Sequence, residues 1–273
     1  MDKIRLGYLP TRRFVFSKED ARRYKVLVQE AIKQFDIEII DIDDLCEEGL
    51  LFDSMDLGKA VIKKFQLAKV DAIFIPHCNF GTEDAIARVV KAINRPVLLW
   101  GARDEAPLPD GKRLRDSQCG VFATGKVLRR YGVKFSYLQN CSLDDALFLT
   151  GIGNFLRAAN IVKTFRETRI LQIGPRPAPF LSMICNEGEL LEKFGIEIVP
   201  INLKDIELKI DEYEASYADF QDEIAALAQK VDLTSTDRSA IQKIIALKHA
   251  IREYAERYQC NCVTIQCWST LQK

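Results

Sequence analysis

Short apolar segments that end near a proline or glycine alternate with longer segments of helical periodicity along this chain. The first apolar segment, residues 4–9, is followed by Pro10, and residues 21–35 then repeat apolar side chains at three- and four-residue intervals. Segments of these two kinds are typical of buried strands joined by helices. The alternation therefore predicts an α/β fold with mostly parallel sheets and helices on both faces.

The alternation continues along the sequence and predicts two consecutive three-layer αβα domains, residues 1–142 and 143–273. In the first domain we expect strands at residues 4–9, 36–42, 71–75, 96–100 and 133–138, and helices at 21–35, 58–68, 82–93 and 117–131. In the second domain we expect helices at 144–165, 180–194, 206–213, 219–231 and 237–258, and strands at 169–173, 196–201 and 262–266.

The last residues form an apolar strand followed by Gln266, Cys267 and Trp268, and the sequence stops five residues later at Lys273. Ligands of open α/β sheets bind just outside the carboxyl ends of the strands. The second domain is therefore expected to be incomplete, with the sequence halting at the edge of a binding site.

Composition narrows the classes of protein that this chain can belong to. The 39 basic and 39 acidic side chains balance, so nothing favours nucleic acid or an anionic membrane as a partner. No signal peptide precedes the first strand, and no apolar run is long enough to span a bilayer. The eight cysteines are scattered, and without a secretory signal they are interpreted as reduced core thiols. A cytoplasmic protein is expected.

Two motifs are better explained by packing than by chemistry. Residues 150–156 begin like a dinucleotide-binding fingerprint but lack its third glycine, which favours a segment of close helix packing and argues against a nicotinamide cofactor. Cys260, Cys262 and Cys267 do not have the spacing of a zinc site, and core packing explains them better.

Polar and aromatic residues follow several of the predicted strands. Cys78 and Asn79 lie between a strand and a helix, where they could line a pocket; a helix-capping loop with Thr82 as the cap is an equally good explanation. Arg12 and Arg13 follow the first strand, where arginines can bind hydroxylated or anionic ligands, although a solvated turn is the alternative.

Three further strand ends carry residues of the same kind, namely Trp100, Arg176 and Gln266. Aromatic rings cover the apolar faces of sugars, and arginine and amide side chains bind sugar hydroxyls. The set of strand-end residues together predicts a sugar-binding site.

Five segments resemble, in the same order, the amino-terminal half of L-fucose/L-arabinose isomerase-like proteins. They are GYLPTRR at 7–13, IPHCNFGTE at 75–83, PVLLWG at 96–101, IGPRPAPF at 173–180 and IQCW at 265–268. The resemblance implies two α/β domains of an enzyme that interconverts aldoses and ketoses, works as a homo-oligomer and uses a divalent metal, usually Mn²⁺.

The resemblance also implies roles for single residues. Arg12 or Arg13 matches an arginine that reaches a sugar in the neighbouring subunit, and Gln266 matches a glutamine near the substrate. The Cys78–Asn79 loop lies where L-fucose isomerases place a tryptophan, which argues against fucose as the sugar. The family's metal ligands follow the position of Gln266, so none is identified in this chain.

Two functions are consistent with these features. The chain is either the amino-terminal part of a sugar isomerase, inactive without the metal-ligand region, or a stand-alone α/β module that binds a sugar or regulates a partner without chemistry. Carbonyl migration needs a Lewis acid and a base within hydrogen-bond reach, and neither is identified, so no catalytic residue is assigned.

Overall fold

The computed structural model describes residues 3–46, 48–215, 220–266 and 271. The chain folds into two compact units, Met1–Lys163 and Thr164–Lys273. The sequence predicts a division between residues 142 and 143, before a long helix. Most of that helix packs in the first unit, because its residues Phe148, Ile152 and Phe155 are part of a core there.

The first unit is built on a parallel sheet in the order β2-β1-β3-β4-β5. The strands are β1 (Ile4–Tyr8), β2 (Ile37–Ile40), β3 (Ala72–His77), β4 (Val97–Gly101) and β5 (Ser136–Tyr137). The helices are α1 (Lys18–Ile32), α2 (Met55–Leu67), α3 (Glu83–Ile93), α4 (Ser117–Arg130) and α5 (Ala146–Arg166). The predicted α/β fold class is confirmed.

Alternate residues of the strands point to opposite faces of this sheet, as the two-residue strand period requires. Ile73 and Ile75 belong to the core under α2, α3 and α4. Ala72 and Phe74 belong to the core under α1 and α5. Helices therefore cover both faces, and the carboxyl ends of the strands remain free to carry loops.

The glycine-containing segment at 150–156 lies inside α5, as the helix-packing interpretation predicted. A Cβ on Gly151 would lie 2.4 Å from Cδ1 of Leu138, so the glycine allows α5 to pack against the Leu138 side chain in its present position. The motif therefore serves packing.

The second unit contains a parallel sheet in the order β7-β6-β8. Its strands are β6 (Arg169–Ile173), β7 (Glu197–Ile201) and β8 (Cys262–Ile265), and its helices are α6 (Glu187–Phe194), α7 (Leu203–Ala215), α8 (Gln221–Ala228) and α9 (Arg238–Arg257). Leu171 and Ile173 of β6 pack against Leu203 and Ile206 of α7 and Ala250 of α9.

Two elements are shorter than the sequence predicts. Residues 133–138 form only a two-residue strand, because the Val133 N–H donates to the Leu128 carbonyl and closes the end of α4. Residues 180–194 are divided into a short 3₁₀ turn, Leu181–Met183, and α6. The side chain of Asn186 accepts from the Glu189 N–H and starts α6 as a new helix.

The cysteines that the structure describes are free thiols, but not all of them lie in cores. Cys119, Cys185 and Cys262 are exposed, which corrects the interpretation of the cysteines as core residues, and Cys267 lies outside the described residues together with Trp268. Among the helices of the described segments, none combines the length and apolar character needed to cross a bilayer.

Candidate functional site

The strand order of the first unit reverses direction between β1 and β3. From β1 the chain crosses to β2 on one side, and it then returns to β3, β4 and β5 on the other. Such a reversal separates the loops that follow the two central strands and leaves a crevice at their carboxyl ends. The loops after β1 and β3 are therefore the expected place for a ligand in this unit.

Hydrogen bonds connect the loop after β1 to the loop after β3. Oδ1 of Asn79 accepts from the Arg13 N–H at 2.7 Å and from the Gly81 N–H at 3.2 Å. The Thr82 hydroxyl donates to the Arg12 carbonyl at 2.7 Å, and Oγ1 of Thr11 accepts from the Thr82 N–H at 3.2 Å. The backbone of Arg12 and Arg13 is therefore held in place by hydrogen bonds to Asn79 and Thr82.

A cleft of about 660 Å³, here called the switch-point cleft, opens between the β1–α1 loop, the segment before α2 and the start of α3. Its lining residues are Arg12, Arg13, Phe14, Val15, Phe52, Asp53, Thr82, Glu83 and Asp84. The volume lies within the range of small-molecule sites. Two of the predicted site residues, Arg12 and Arg13, are therefore brought together in a ligand-sized space.

Each arginine of the cleft is held by a carboxylate and an aromatic ring. The Arg12 guanidinium donates through Nε to Glu48 at 2.8 Å and lies 5.1 Å from the ring centre of Phe52. The Arg13 guanidinium pairs with Glu83 and lies 4.3 Å from the ring centre of Phe80. Both side chains are thereby fixed before any ligand arrives.

Glu48, the carboxylate that binds Arg12, forms ion pairs with several basic side chains. Its side chain is 8% exposed and is in ion pairs with Arg12, Lys18 and Arg22. Burial acts to raise the pKa of Glu48, but the hydrogen bonds from Lys18 and Arg12 outweigh it and hold the pKa below its ordinary value of 4.5. Glu48 is therefore charged at neutral pH and anchors Arg12.

Replacing Glu48 by glutamine should lower the free energy of unfolding by about 1.5–3 kcal/mol at pH 7, the typical contribution of a charge-assisted hydrogen bond. Because the folded-state pKa lies below the unfolded value, the contribution is complete above pH 4.5 and is lost as the pH falls through the folded pKa. Urea unfolding of both proteins between pH 7 and pH 3 measures this difference.

Glu38→Gln is the matched control, since Glu38 is exposed on β2. It should change stability by less than about 0.5 kcal/mol at any of these pH values. A Glu48→Gln protein that matches the wild type at pH 7 would contradict the anchoring role.

Cys78 and Asn79, predicted from the sequence to line the site, are buried beneath the loops. Burial raises the pKa of the Cys78 thiol far above its ordinary value, so the sulfur is protonated at neutral pH. The Asn79 side-chain amide forms its hydrogen bonds with Arg13, Ser17 and Gly81. Contact of either residue with a sugar stays a prediction; in this structure both support the loops.

His77, beside them, is also buried at the end of β3. Its Nδ1 lies 2.9 Å from the Phe80 carbonyl oxygen. Burial lowers the pKa of His77 to about 4, more than the hydrogen bond to Phe80 raises it. The ring is therefore neutral at pH 7, with Nδ1 protonated toward Phe80, and it holds the shape of the β3–α3 loop.

Trp100, another predicted sugar contact, lies in the core under α1 and α5. Its indole N–H donates to Sγ of Cys141 at 3.3 Å, and its ring centre is 4.7 Å from that of Phe148. The side chain is 1% exposed. A sugar contact of Trp100 stays a prediction, and it would require the ring to leave this core.

The loop between β4 and α4 is fastened to α1 by a buried arginine. Arg115 is fully buried and lies 3.7 Å from the ring centre of Tyr24. It is in ion pairs with Asp20 at 3.1 Å and Glu105 at 2.6 Å, and it donates to the Arg103 carbonyl at 2.7 Å. This charge cluster fixes a third loop at the carboxyl edge of the sheet.

Arg176 and Gln266, the remaining predicted site residues, both belong to the second unit. The exposed Arg176 follows β6 and donates to the carbonyls of Pro177 and Ala178. Gln266 follows β8, and its N–H donates to the Ile173 carbonyl at 2.9 Å. Gly174 has φ 73°, and a Cβ there would lie 2.9 Å from Oε1 of Gln266, so the glycine makes room for this amide.

The carboxylates of the switch-point cleft do not form a metal site. Glu83 is paired with Arg13, and Asp84 is paired with Arg88 at 2.8 Å. Across the described parts of the chain, no three His, Cys, Asp or Glu side chains come close enough together to hold a metal ion. The described residues of this cleft therefore do not fit the divalent metal that the resemblance implies.

Residues 7–166 match the family described as the fucose/sulfoquinovose isomerase N-terminal domain. The chain belongs to this family. The match covers the first unit and confirms the resemblance to L-fucose/L-arabinose isomerase-like proteins inferred from the order of the motifs.

Two curated relatives of this family carry a specific name. A sulfoquinovose isomerase of Alkalicoccus urumqiensis is 25% identical over 198 residues, which are 72% of this chain and 44% of that protein. A sulfoquinovose isomerase of Clostridium sp. (strain MSTE9) is 24% identical over 199 residues, 72% of this chain and 43% of that protein. The chain thus spans less than half the length of these members of the fucose/sulfoquinovose isomerase family.

Proposed function

We propose that this chain is the sugar-binding part of an aldose–ketose isomerase that acts on a sulfonated sugar. Its place in the fucose/sulfoquinovose isomerase family supports an isomerase of carbohydrate metabolism. The names of the two curated relatives support sulfoquinovose, a 6-deoxyglucose that carries a sulfonate at C6, as the substrate.

The observation that carries this proposal is the pair of fixed arginines in the switch-point cleft. Arg12 and Arg13 each use Nε and Nη2 for contacts within the protein. Within the described residues, neither Nη1 has a hydrogen-bond partner. A planar guanidinium with spare N–H groups suits a sulfonate, which offers three oxygen acceptors and a single negative charge.

The remaining residues of the cleft suit the sugar ring. The exposed carboxylate of Asp53 can accept hydrogen bonds from hydroxyl groups, and Phe52 and Phe14 offer apolar faces. In this proposal the chain binds and orients the sugar. The divalent metal of the family, Mn²⁺ in the resemblance, would be held by residues other than those of this cleft.

Two apolar side chains support the further proposal that the arginine loop meets a partner subunit in a homo-oligomer. Phe14 is 80% exposed and Val15 is 64% exposed, directly after Arg12 and Arg13. Adjacent exposed apolar residues of this size are typical of surfaces that another protein covers. Because Phe14 and Val15 line the switch-point cleft, a partner that covers this loop would lie beside the sugar bound there.

Isothermal titration of sulfoquinovose into the chain tests the proposed function. We expect sulfoquinovose to bind more tightly than quinovose, the same sugar without the sulfonate. The Arg12→Gln and Arg13→Gln variants should each weaken sulfoquinovose binding by about tenfold or more, because each removes a charge-assisted hydrogen bond of about 1.5–3 kcal/mol. Quinovose binding should change much less.

Arg129→Gln is the control for a general effect of positive charge, since Arg129 lies on α4 and does not line the switch-point cleft. It should leave sulfoquinovose affinity unchanged. Equal affinity for sulfoquinovose and quinovose, or full affinity in the double variant of Arg12 and Arg13, would exclude a sulfonate site at these arginines.

A further inference from the structure

A second cleft lies between the outer face of α4 and the edge strand β5 of the first unit. It has a volume of about 490 Å³, again within the range of small-molecule sites. Phe122, Lys126 and Arg129 line it from one stripe of α4, at helical spacings of four and three residues. Neither arginine of the switch-point cleft contributes to it, so the two clefts are separate.

The walls of this α4–β5 cleft are aromatic and already fixed. A Cβ on Gly125 would lie 3.1 Å from Cζ of Phe135, so the Phe135 ring packs on the bare backbone of α4. The Tyr137 hydroxyl donates to Oδ1 of Asn140 at 2.9 Å, which holds its ring in place. The Phe122 ring is 58% exposed at the opening.

The charges at the rim of the cleft are positive and unbalanced. Lys126 and Arg129 form no ion pair with any described acidic side chain, whereas Arg88 and Arg115 of the same unit each do. The lining residues include no carboxylate and no amide. The cleft therefore offers aromatic faces and positive charge, but few of the acceptors that the hydroxyl groups of a sugar require.

We propose that the α4–β5 cleft binds a small organic anion with a flat apolar body, such as an aromatic sulfonate, carboxylate or phosphate. The ring of the ligand would stack on Phe122 and Tyr137, and its anionic group would lie between Lys126 and Arg129. The volume suits one small molecule, and the charge complementarity selects an anion. This site is independent of the sugar site proposed above.

Fluorescence titration with 8-anilinonaphthalene-1-sulfonate tests the proposal, because this probe combines a flat aromatic body with a sulfonate. We expect one saturable site on the folded chain. Lys126→Gln combined with Arg129→Gln should weaken binding at least tenfold, and so should Phe122→Ser. The neutral analogue N-phenyl-1-naphthylamine should bind more weakly than the sulfonate and should be insensitive to the charge variants.

Arg113→Gln is the matched control, since Arg113 is exposed and lines neither cleft, so its loss removes a positive charge and should leave probe affinity unchanged. Undiminished affinity in the Lys126/Arg129 double variant would overturn the proposal. So would a sedimentation experiment in which Phe122→Ser changes the oligomeric state while the probe binds as before, because the cleft would then be covered by a second copy of the chain. All variants alter exposed side chains, so thermal unfolding should confirm that each remains folded.

Discussion

Replacing Arg115 by methionine is expected to lower the free energy of unfolding by about 3–5 kcal/mol, the usual cost of removing one partner from a buried ion pair. Arg115 is fully buried, and Asp20, one of its three carboxylate partners, is nearly so. Methionine would fill much of the same space but would leave the carboxylate without its partner. Urea unfolding at pH 7 measures the loss.

Arg113→Met is the matched control in the same loop. Arg113 is exposed, and no ion pair of its side chain occurs among the described residues, so this change should alter stability by less than about 0.5 kcal/mol. Arg115→Lys should fall between the two, since lysine keeps the charge but loses the planar contact with Tyr24. A stable Arg115→Met protein would mean that the cluster does not fasten the β4–α4 loop.

Replacing Gly120 by alanine should cost about 3 kcal/mol or more, at or beyond the upper end of the range for overpacking. A Cβ on Gly120 would lie 1.8 Å from the carbonyl oxygen of Phe80. Because that oxygen belongs to the backbone, no change of rotamer relieves the clash. The β3–α3 loop would have to move, which would disturb the hydrogen bond between His77 Nδ1 and the Phe80 carbonyl oxygen.

Gly58→Ala on α2 is the control for the general effect of alanine in a helix. A Cβ on Gly58 meets nothing within 4 Å, so this change should stabilise the protein by about 0.5–1 kcal/mol through helix propensity. Thermal or urea unfolding compares the two variants. If Gly120→Ala were as stable as Gly58→Ala, α4 could not approach the β3–α3 loop as closely as described.

The periodicity of the sequence was sufficient to predict the fold, because each strand and helix of the sheet carries its own apolar pattern. The predicted bounds of residues 133–138 and 180–194 are wrong because local hydrogen bonds override the apolar pattern there. Val133 has the apolar character of a strand residue, but its N–H closes α4. Asn186 lies inside an apolar helical pattern, but its side chain caps a new helix. An N-cap residue followed by a glutamate three residues later, here Glu189, is a helix-start signal that is present in the sequence.

The candidate site was only partly predictable. Arg12 and Arg13 could be placed because they follow a strand, and strand ends of a parallel sheet meet at one edge. Glu48 could not be found in this way, since it comes from an irregular segment and reaches Arg12 only through the folded chain. Trp100 is predicted to contact a sugar because indole rings suit sugars; its ring lies in a core, and the sugar contact stays a prediction.

Titration of the ¹⁵N-labelled chain with sulfoquinovose, followed through its backbone amide signals, tests the sugar site most directly. Sugar binding in the switch-point cleft predicts saturable shifts at residues 12–15, 53 and 82–84, weaker shifts with quinovose, and no shifts along α4 at 122–129. Shifts that are absent from the loops after β1 and β3, or that are equal for both sugars, would contradict a sulfonated-sugar site at Arg12 and Arg13.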